Sequence, residues 1–119
     1  MTIKNNLQEF IFNVDYEDFE ARVIEASRTQ PVLVDLWAEW CAPCRVIAPT
    51  LERVIAERLP ALRLAKVEVD EGENMKLAGH YRVRGFPTLL LFAGGEERAR
   101  FSGNRPRHFI HEWLDRHLG

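Results

Sequence analysis

The chain has 119 residues, of which 46% are hydrophobic, 10% aromatic and 29% charged. These proportions are those of one globular domain with a buried core, and they exclude a wholly disordered chain. The formal net charge of −2 argues against a nucleic-acid-binding module, and no apolar stretch approaches the ~20 residues of a membrane span. We therefore expect a single domain over residues 1–119, loosely ordered over residues 1–6.

The first half of the chain predicts two strands and two helices. Residues 10–14 are apolar and β-prone, and Asp15 offers an N-cap for a helix that ends near Ser27. The nearly continuous apolar run 32–37 is typical of a strand that is covered on both faces. A long helix begins near Cys41. Its predicted apolar stripe comprises Val46, Ile47, Leu51, Val54, Ile55 and Leu59.

The second half predicts three strands and two helices. Residues 62–69 form a strand, residues 74–81 form a short helix, and residues 87–92 and 97–101 form a β-hairpin. Pro106 begins a last amphipathic helix. The order βαβαβαββα predicts an α/β domain whose central five-stranded mixed sheet is flanked by four helices.

Two cysteines, Cys41 and Cys44, lie where an apolar strand is followed by a helix. Residues three apart at a helix start share one face, so the two sulfurs can come within disulfide reach. The free N–H groups and the positive dipole end of the helix stabilise a thiolate on Cys41. Pro43 has no N–H and favours the helical φ angle. We expect Cys41 to attack a substrate disulfide and the more buried Cys44 to resolve the mixed disulfide.

Three other interpretations of the cysteines remain open. A structural disulfide would close so small a loop that it would stabilise the fold only weakly. A zinc site needs four ligands, and the only other candidates are His108 and His111 on the distant last helix. Two merely buried thiols are the third. We expect no metal at this site.

Asp35 and Lys66 are charged residues within otherwise apolar strands. Burial would raise the pKa of Asp35 and allow it to exchange protons near pH 7, so it is a candidate proton acceptor for Cys44. A carboxylate held in a hydrogen-bond network is the alternative. Lys66 would pair with Asp35 if their strands are neighbours, or its stem would run along the surface to water.

Pro87 follows Phe86 at the start of a predicted strand, where proline does not interrupt the sheet. A cis Phe86–Pro87 bond would leave the backbone of Phe86 free to pair with an extended substrate. The sequence alone leaves the isomer open, since only ~5–6% of such bonds are cis.

These motifs together resemble the thioredoxin family, from about Phe10 to the C-terminus. The resemblance implies a thioredoxin-like fold and a dithiol that is recharged by an NADPH-dependent reductase, with no bound cofactor. The segments that carry it are 34–44 (VDLWAEWCAPC), 47–49 (IAP), 65–70 (AKVEVD), 84–92 (RGFPTLLLF), 95–96 (GE) and Gly103.

The resemblance also assigns roles. Cys41 is similar to the family's nucleophile and Cys44 to its resolving thiol, Asp35 and Lys66 to the buried charge pair, and Pro87 to the cis-proline that faces the cysteines. The residues similar to the surface that receives partner chains are Trp40, Ala42, Pro43, Gly85, Phe86 and Gly103.

Three departures from the family pattern concern the reduction potential and the surface that receives partner chains. Ala42 replaces the usual glycine between the cysteines, and its Cβ restricts the backbone beside the attacking thiol. With Pro43, it is therefore a candidate for setting the reduction potential. Phe86 is bulkier than the usual aliphatic residue, and Ser102 and Asn104 make the surroundings of Gly103 more polar than usual.

The leading hypothesis is a protein-disulfide reductase, a monomer in the cytoplasm. The implied partners are a thioredoxin reductase-like flavoprotein and disulfide-containing protein substrates, with no nucleic acid and no membrane. The N-terminus shows no apolar signal segment, which makes the cytoplasm the default. The alternative is a thioredoxin-like binding or holdase chaperone module of a larger chain, and an oxidase or isomerase on the same scaffold is a third possibility.

Overall fold

A five-stranded mixed sheet forms the centre of the computed structural model, which describes residues 3–118, with side chains from residue 7. The sheet order is β1-β3-β2-β4-β5. Strand β3 runs parallel to β1 and β2, whereas β4 runs antiparallel to β2 and β5. The strands are β1 (Ile11–Asn13), β2 (Val32–Trp37), β3 (Arg63–Glu68), β4 (Thr88–Ala93) and β5 (Glu96–Ser102). The predicted mixed sheet is confirmed.

Helical elements flank the sheet, and the structure contains one more than the four predicted. An irregular helical segment, 16–28, joins β1 to β2 and comprises a 3-10 turn (Tyr16–Asp18), a π-helix (Glu20–Glu25) and a second 3-10 turn (Ala26–Arg28). The α-helices are α1 (Ile3–Phe10), α2 (Ala42–Arg58), α3 (Met75–His80) and α4 (Arg107–Leu118). None of the described helices is long and apolar enough to cross a membrane.

The additional helix α1 covers residues that we expected to be loosely ordered. Leu7 and Phe10 of α1 pack against the hydrophobic cluster beneath α2, and this burial stabilises a helix too short to form alone. Residues 1 and 2 lie outside the described residues, so the loose order of residues 1–6 stays a prediction.

The start of the irregular segment is held by a residue from elsewhere in the chain. The carboxylate of Asp15, the predicted N-cap, accepts a hydrogen bond from Nδ2 of Asn74 at 2.8 Å. The buried Asn74 also receives the N–H of Tyr16 on its Oδ1 at 2.7 Å and donates to the carbonyl of Glu68 at 3.0 Å. Asn74 thereby ties this segment to the end of β3, a tertiary contact that the local pattern does not contain.

The sheet separates two hydrophobic clusters, one on each face. Val32, Val34 and Leu36 of β2 contribute to the first cluster, together with both cysteines, and Leu33 contributes to the second, beneath α2 and α4. β2 is thus covered on both faces, as its apolar run predicts. The prediction was wrong for one residue of the apolar stripe of α2, because Val46 is 57% exposed. The residues of α2 that are buried are Cys44, Ile47, Leu51, Val54 and Ile55.

Candidate redox site

The two cysteines lie at the junction between β2 and α2. Cys41 is the N-cap of α2, and a disulfide joins it to Cys44, with Cα atoms 5.3 Å apart. The backbone N–H of Cys44 donates to Sγ of Cys41 at 3.2 Å. Cys41 is 5% and Cys44 2% exposed, which agrees with the expected order of burial. When the bond is reduced, this N–H and the helix dipole favour negative charge on Cys41.

An aromatic side chain stands beside the disulfide. Trp40 is 66% exposed, and its Nε1 donates to Oδ2 of Asp70 at 2.7 Å. The rings of Trp40 and Phe86 pack edge to face, with their centroids 6.0 Å apart. A large exposed indole that is held in a fixed orientation offers apolar contact area at little entropic cost.

The loop before β4 supplies the other side of the site. The Phe86–Pro87 bond is cis, as the resemblance implies, and the Leu59–Pro60 bond, which the sequence did not single out, is cis as well. The N–H of Gly103 donates to the carbonyl of Pro87 at 2.9 Å. Gly103 has a φ of +84°, a conformation that side-chain-bearing residues rarely adopt.

A hydroxyl pair missed by the sequence analysis fixes this loop. Thr88 is buried, and its Oγ1 donates to the carbonyl of Gly85 at 2.6 Å and lies 3.0 Å from Oγ of Ser102. The structure thus brings Trp40, Phe86, Pro87 and Gly103 together, with Gly85 attached to the same loop. The only sequence signal for Thr88 was a hydroxyl in an apolar strand.

Asp35 lies at the centre of β2 and is 1% exposed. Burial raises its pKa to about 7, and the positive charge of Lys66 opposes part of that rise. Among the described residues, its Oδ1 has no hydrogen-bond partner, so the structure gives no support to a carboxylate saturated by a hydrogen-bond network. A carboxyl with this pKa exchanges a proton at neutral pH.

Lys66 is in register with Asp35 on the neighbouring parallel strand. Among the ion pairs that join described residues, none links Lys66 to Asp35; the Nζ atom instead lies 5.3 Å from the ring centroid of Trp37. Lys66 therefore acts on Asp35 through its field and not through a direct contact. It also borders a cavity of about 190 Å³, lined by Asn13, Val14, Asp15, Lys66, Glu68 and Glu71.

The histidines named as candidate zinc ligands lie on α4. Within residues 3–118, no group of three or more histidine, cysteine or acidic side chains is placed to hold a metal ion. His111 accepts a hydrogen bond from Arg58, the last residue of α2, and its Nε2 lies 2.8 Å from Glu57. It therefore belongs to the opposite end of α2 from the cysteines.

Comparison with known proteins gives a consistent result. The family model Thioredoxin matches residues 10–116. The chain is 41% identical to a thioredoxin of Acidithiobacillus ferridurans and 39% identical to one of Pseudomonas aeruginosa, each over 94% of this chain and 100% of the relative. It is 36% identical to a chloroplastic M-type thioredoxin of Chlamydomonas reinhardtii, over 88% of this chain and 72% of the relative.

The matched region contains the whole sheet, the two cysteines and the loop of the cis-proline. Sequence similarity, the mixed sheet and the disulfide at the start of α2 therefore point to one conclusion. The chain belongs to the thioredoxin family and is a thiol–disulfide oxidoreductase.

Proposed function

We propose that the protein reduces disulfide bonds of other proteins by dithiol–disulfide exchange. The observation that supports this most strongly is the Cys41–Cys44 pair, in which the N–H of Cys44 donates to the sulfur of Cys41 at the N-terminus of α2. The N–H that donates to this sulfur in the disulfide would also stabilise the Cys41 thiolate after reduction. The pair would therefore alternate between a disulfide and a dithiol.

The reaction has two steps. The thiolate of Cys41 attacks one sulfur of a substrate disulfide, forming a mixed disulfide and releasing the first substrate sulfur as a thiolate that takes up a proton. The thiolate of Cys44 then attacks the sulfur of Cys41, releasing the second substrate thiol and closing the Cys41–Cys44 bond. Two electrons pass from the protein dithiol to the substrate.

In this mechanism Asp35 accepts the proton of Cys44 before the second step. Its pKa of about 7 suits a general base at neutral pH, because the carboxylate is available yet still holds a proton well. Lys66 keeps that pKa from rising further. Asp35 would thus act on the resolving thiol, and Lys66 would act only through Asp35.

Substrate chains would dock on the surface formed by Trp40, Gly85, Phe86 and Gly103, next to the buried Pro87. Trp40 and Phe86 supply apolar area, and the exposed Gly85 leaves the adjoining backbone accessible. Ala42 and Pro43 are exposed between the cysteines and would set the reduction potential. An Ala42→Gly variant measures the contribution of the methyl group.

The proposal includes a source of electrons. An NADPH-dependent, thioredoxin reductase-like flavoprotein would regenerate the dithiol, and the protein itself would act as a monomer without a bound cofactor in the reducing cytoplasm. A reduction potential near the roughly −270 mV of known thioredoxins supports this role. A value between roughly −180 and −120 mV would indicate an isomerase or an oxidase instead.

The experiment that tests the mechanism is a trap with a disulfide-linked peptide dimer as the probe. Cys44→Ser keeps the attacking thiol but lacks the resolving one, so it should accumulate a mixed disulfide through Cys41 that mass spectrometry detects and dithiothreitol removes. The wild-type protein should instead release both peptides as thiols.

Cys41→Ser is the matched control, because it retains only the more buried thiol and should form adducts far more slowly. Equal adduct formation by the two single variants would contradict the assigned roles. If the reduced wild-type protein leaves the peptide dimer intact, the proposed function itself is wrong.

A further inference from the structure

Six arginines form no ion pair with another described residue, and three of the six lie in the loops around the cis-proline; the other three are Arg45, Arg63 and Arg116. Seven arginines lie within 4.0 Å of a carboxylate oxygen: Arg22, Arg28, Arg53, Arg58, Arg98, Arg100 and Arg107. Among the ion pairs that join described residues, none includes Arg82, Arg84 or Arg105. All three are exposed, and we refer to them together as the arginine side.

The fold places the arginine side next to the docking surface. Arg82 and Arg84 lie in the loop that leads to the cis Phe86–Pro87 bond. Arg105 follows Gly103 by two residues, and the N–H of Gly103 donates to the carbonyl of Pro87. Two residues of extended chain span at most about 7 Å, so Arg84 and Arg105 both begin close to the loop that would receive a substrate.

The flank of the disulfide at Trp40 carries the opposite charge. Glu39 precedes Trp40, and Asp70 accepts the hydrogen bond from its indole. Glu68 and Glu71 lie near them: the pKa of Glu68 is raised first by burial and then by the negative charges of Glu71, Glu39 and Asp70. We call Glu39, Glu68, Asp70 and Glu71 the acidic side. One cation, Arg45, lies next to these four carboxylates and donates through Nη1 to the carbonyl of Glu39, so the flank stays net negative. The indole of Trp40 stands between its partner Asp70 and the ring of Phe86.

From this arrangement we infer that the site selects substrates by the order of charges along the chain that carries the disulfide. The preferred segment places carboxylates against the arginine side and cations against the acidic side. The inference rests on the proposed disulfide-reductase function, whose substrate class it narrows.

Fixed charges of opposite sign across a docking face orient a partner during encounter and penalise the reversed orientation. The arginine side suits this role because a substrate carboxylate need not displace an existing ion pair there. The effect is electrostatic and lies at the surface, so salt should weaken it.

The test uses two peptide dimers of identical composition and net charge. In one, two glutamates precede the cysteine and two lysines follow it; in the other, the order is reversed. Each is mixed with pre-reduced protein in a single turnover, and the released thiol is followed by rapid alkylation and chromatography. We expect the two rates to differ about threefold or more at an ionic strength of about 0.01 M and to converge near 1 M, where the Debye length is only ~3 Å.

Two variants show whether the named arginines cause the difference. Arg84→Gln combined with Arg105→Gln should slow the reduction of the peptide dimer that the wild-type protein reduces faster. The ratio of the two peptide rates should fall accordingly. Arg116→Gln is the matched control: it removes an exposed arginine in the last turn of α4, where the neighbouring Asp115 contacts the C-terminal end of α2. That end is about 25 Å from the cysteines, since α2 has 17 residues.

The outcomes separate the inference from the function on which it rests. Equal rates for both peptides at low ionic strength would overturn the charge-order inference while leaving the reductase intact. A ratio that Arg116→Gln reduces as much as the double variant would also overturn it. If neither peptide is reduced, the proposed function fails first.

Discussion

Asp35 makes the stability of the protein depend on pH. Its pKa rises from 3.8 to about 7 on folding, chiefly because of burial, so the folded state binds the proton more tightly than the unfolded chain. Stability is then unaffected by this group below about pH 4, falls as pH rises towards 7, and levels off above it. Three pKa units correspond to about 4 kcal/mol.

An Asp35→Asn variant should remove this loss. We expect wild type and variant to have similar free energies of unfolding near pH 4 and the variant to be more stable at pH 8, by up to about 4 kcal/mol. Urea unfolding across that range measures the difference. Lys66→Met is the companion variant: without the cation the pKa of Asp35 should rise further, so the stability loss should extend to higher pH. A constant difference between wild type and Asp35→Asn would contradict the assignment.

At this scale the sequence reveals residues whose chemistry conflicts with their surroundings. Asp35 stands out because a carboxyl in an apolar run must be buried, and Cys41 and Cys44 stand out by their spacing at a helix start. Asn74 and Thr88 do not stand out, because their roles depend on partners that only the fold brings near. The sequence left two positions open for the ammonium of Lys66, beside Asp35 or at the surface. It lies over the ring of Trp37, since strand register places Cα atoms but not the end of a long side chain.

Among the elements, α2 is the one that carries the cysteines, and it is fastened at its far end. Arg58, its last residue, donates through Nε to Nδ1 of His111 at 2.9 Å and through Nη2 to the His111 carbonyl at 3.0 Å and to Asp115 at 2.6 Å. The side chain of Arg58 is only 20% exposed. These bonds fix α2 against α4.

Replacing Arg58 should therefore destabilise the protein without altering the redox site. We expect Arg58→Ala to lower the free energy of unfolding by about 1–3 kcal/mol, because a partly buried, multiply bonded cation is lost and His111 is left without its donor. Arg53→Ala, on the same helix, is the control: its side chain is 68% exposed and its pair with Glu57 is 3.7 Å long, so its effect should stay below about 1 kcal/mol. Urea unfolding compares the two variants. Equal decreases in the free energy of unfolding would show that the hydrogen bonds of Arg58 stabilise the protein no more than the surface ion pair of Arg53.

Element types were predictable wherever apolar periodicity was strong. The strands and α2, α3 and α4 begin and end within about two residues of their expected positions, within the usual uncertainty of such boundaries. One element, α1, was not predicted, and the predicted helix between β1 and β2 has an irregular form. The signal for α1 was a short amphipathic pattern, stable only because Leu7 and Phe10 reach the core. The start of segment 16–28 is held by Asn74, which contacts Asp15 and Tyr16 from elsewhere in the chain and has no signal in the local sequence.

In the whole molecule, the central sheet packs against one hydrophobic cluster on each of its two faces. Leu90 faces the first cluster and Leu33 the second, and both are fully buried. The strands that carry them, β4 and β2, are hydrogen-bonded neighbours. Loss of packing on one face therefore loosens strands on which the other face depends.

We accordingly expect a single unfolding transition whichever cluster is weakened. Leu33→Ala and Leu90→Ala should each lower the free energy of unfolding by about 2–5 kcal/mol. In urea, tryptophan fluorescence and far-ultraviolet circular dichroism should give coincident curves for both variants. A biphasic curve for either one would mean that the clusters unfold separately.

The fold class could be predicted from the alternation of strands and helices, whereas the neighbours of each strand could not. Nothing local in β3 specifies that it lies between β1 and β2. That placement results from packing the helices on both faces, and it is also what sets Lys66 beside Asp35. The resemblance to a known family implied the fold, and with it the strand neighbours that local patterns do not specify.

The sheet order leaves β1 and β5 with an unpaired side each, and such edges invite strand-to-strand aggregation. β1 offers only three residues, too few for a stable intermolecular ladder. β5 is longer, but four of its seven residues are charged: Glu96, Glu97, Arg98 and Arg100. A chain that approached this edge would have to bury those charges or turn them aside. The protein can therefore expose the apolar ring of Trp40 without its own sheet becoming a template for fibres.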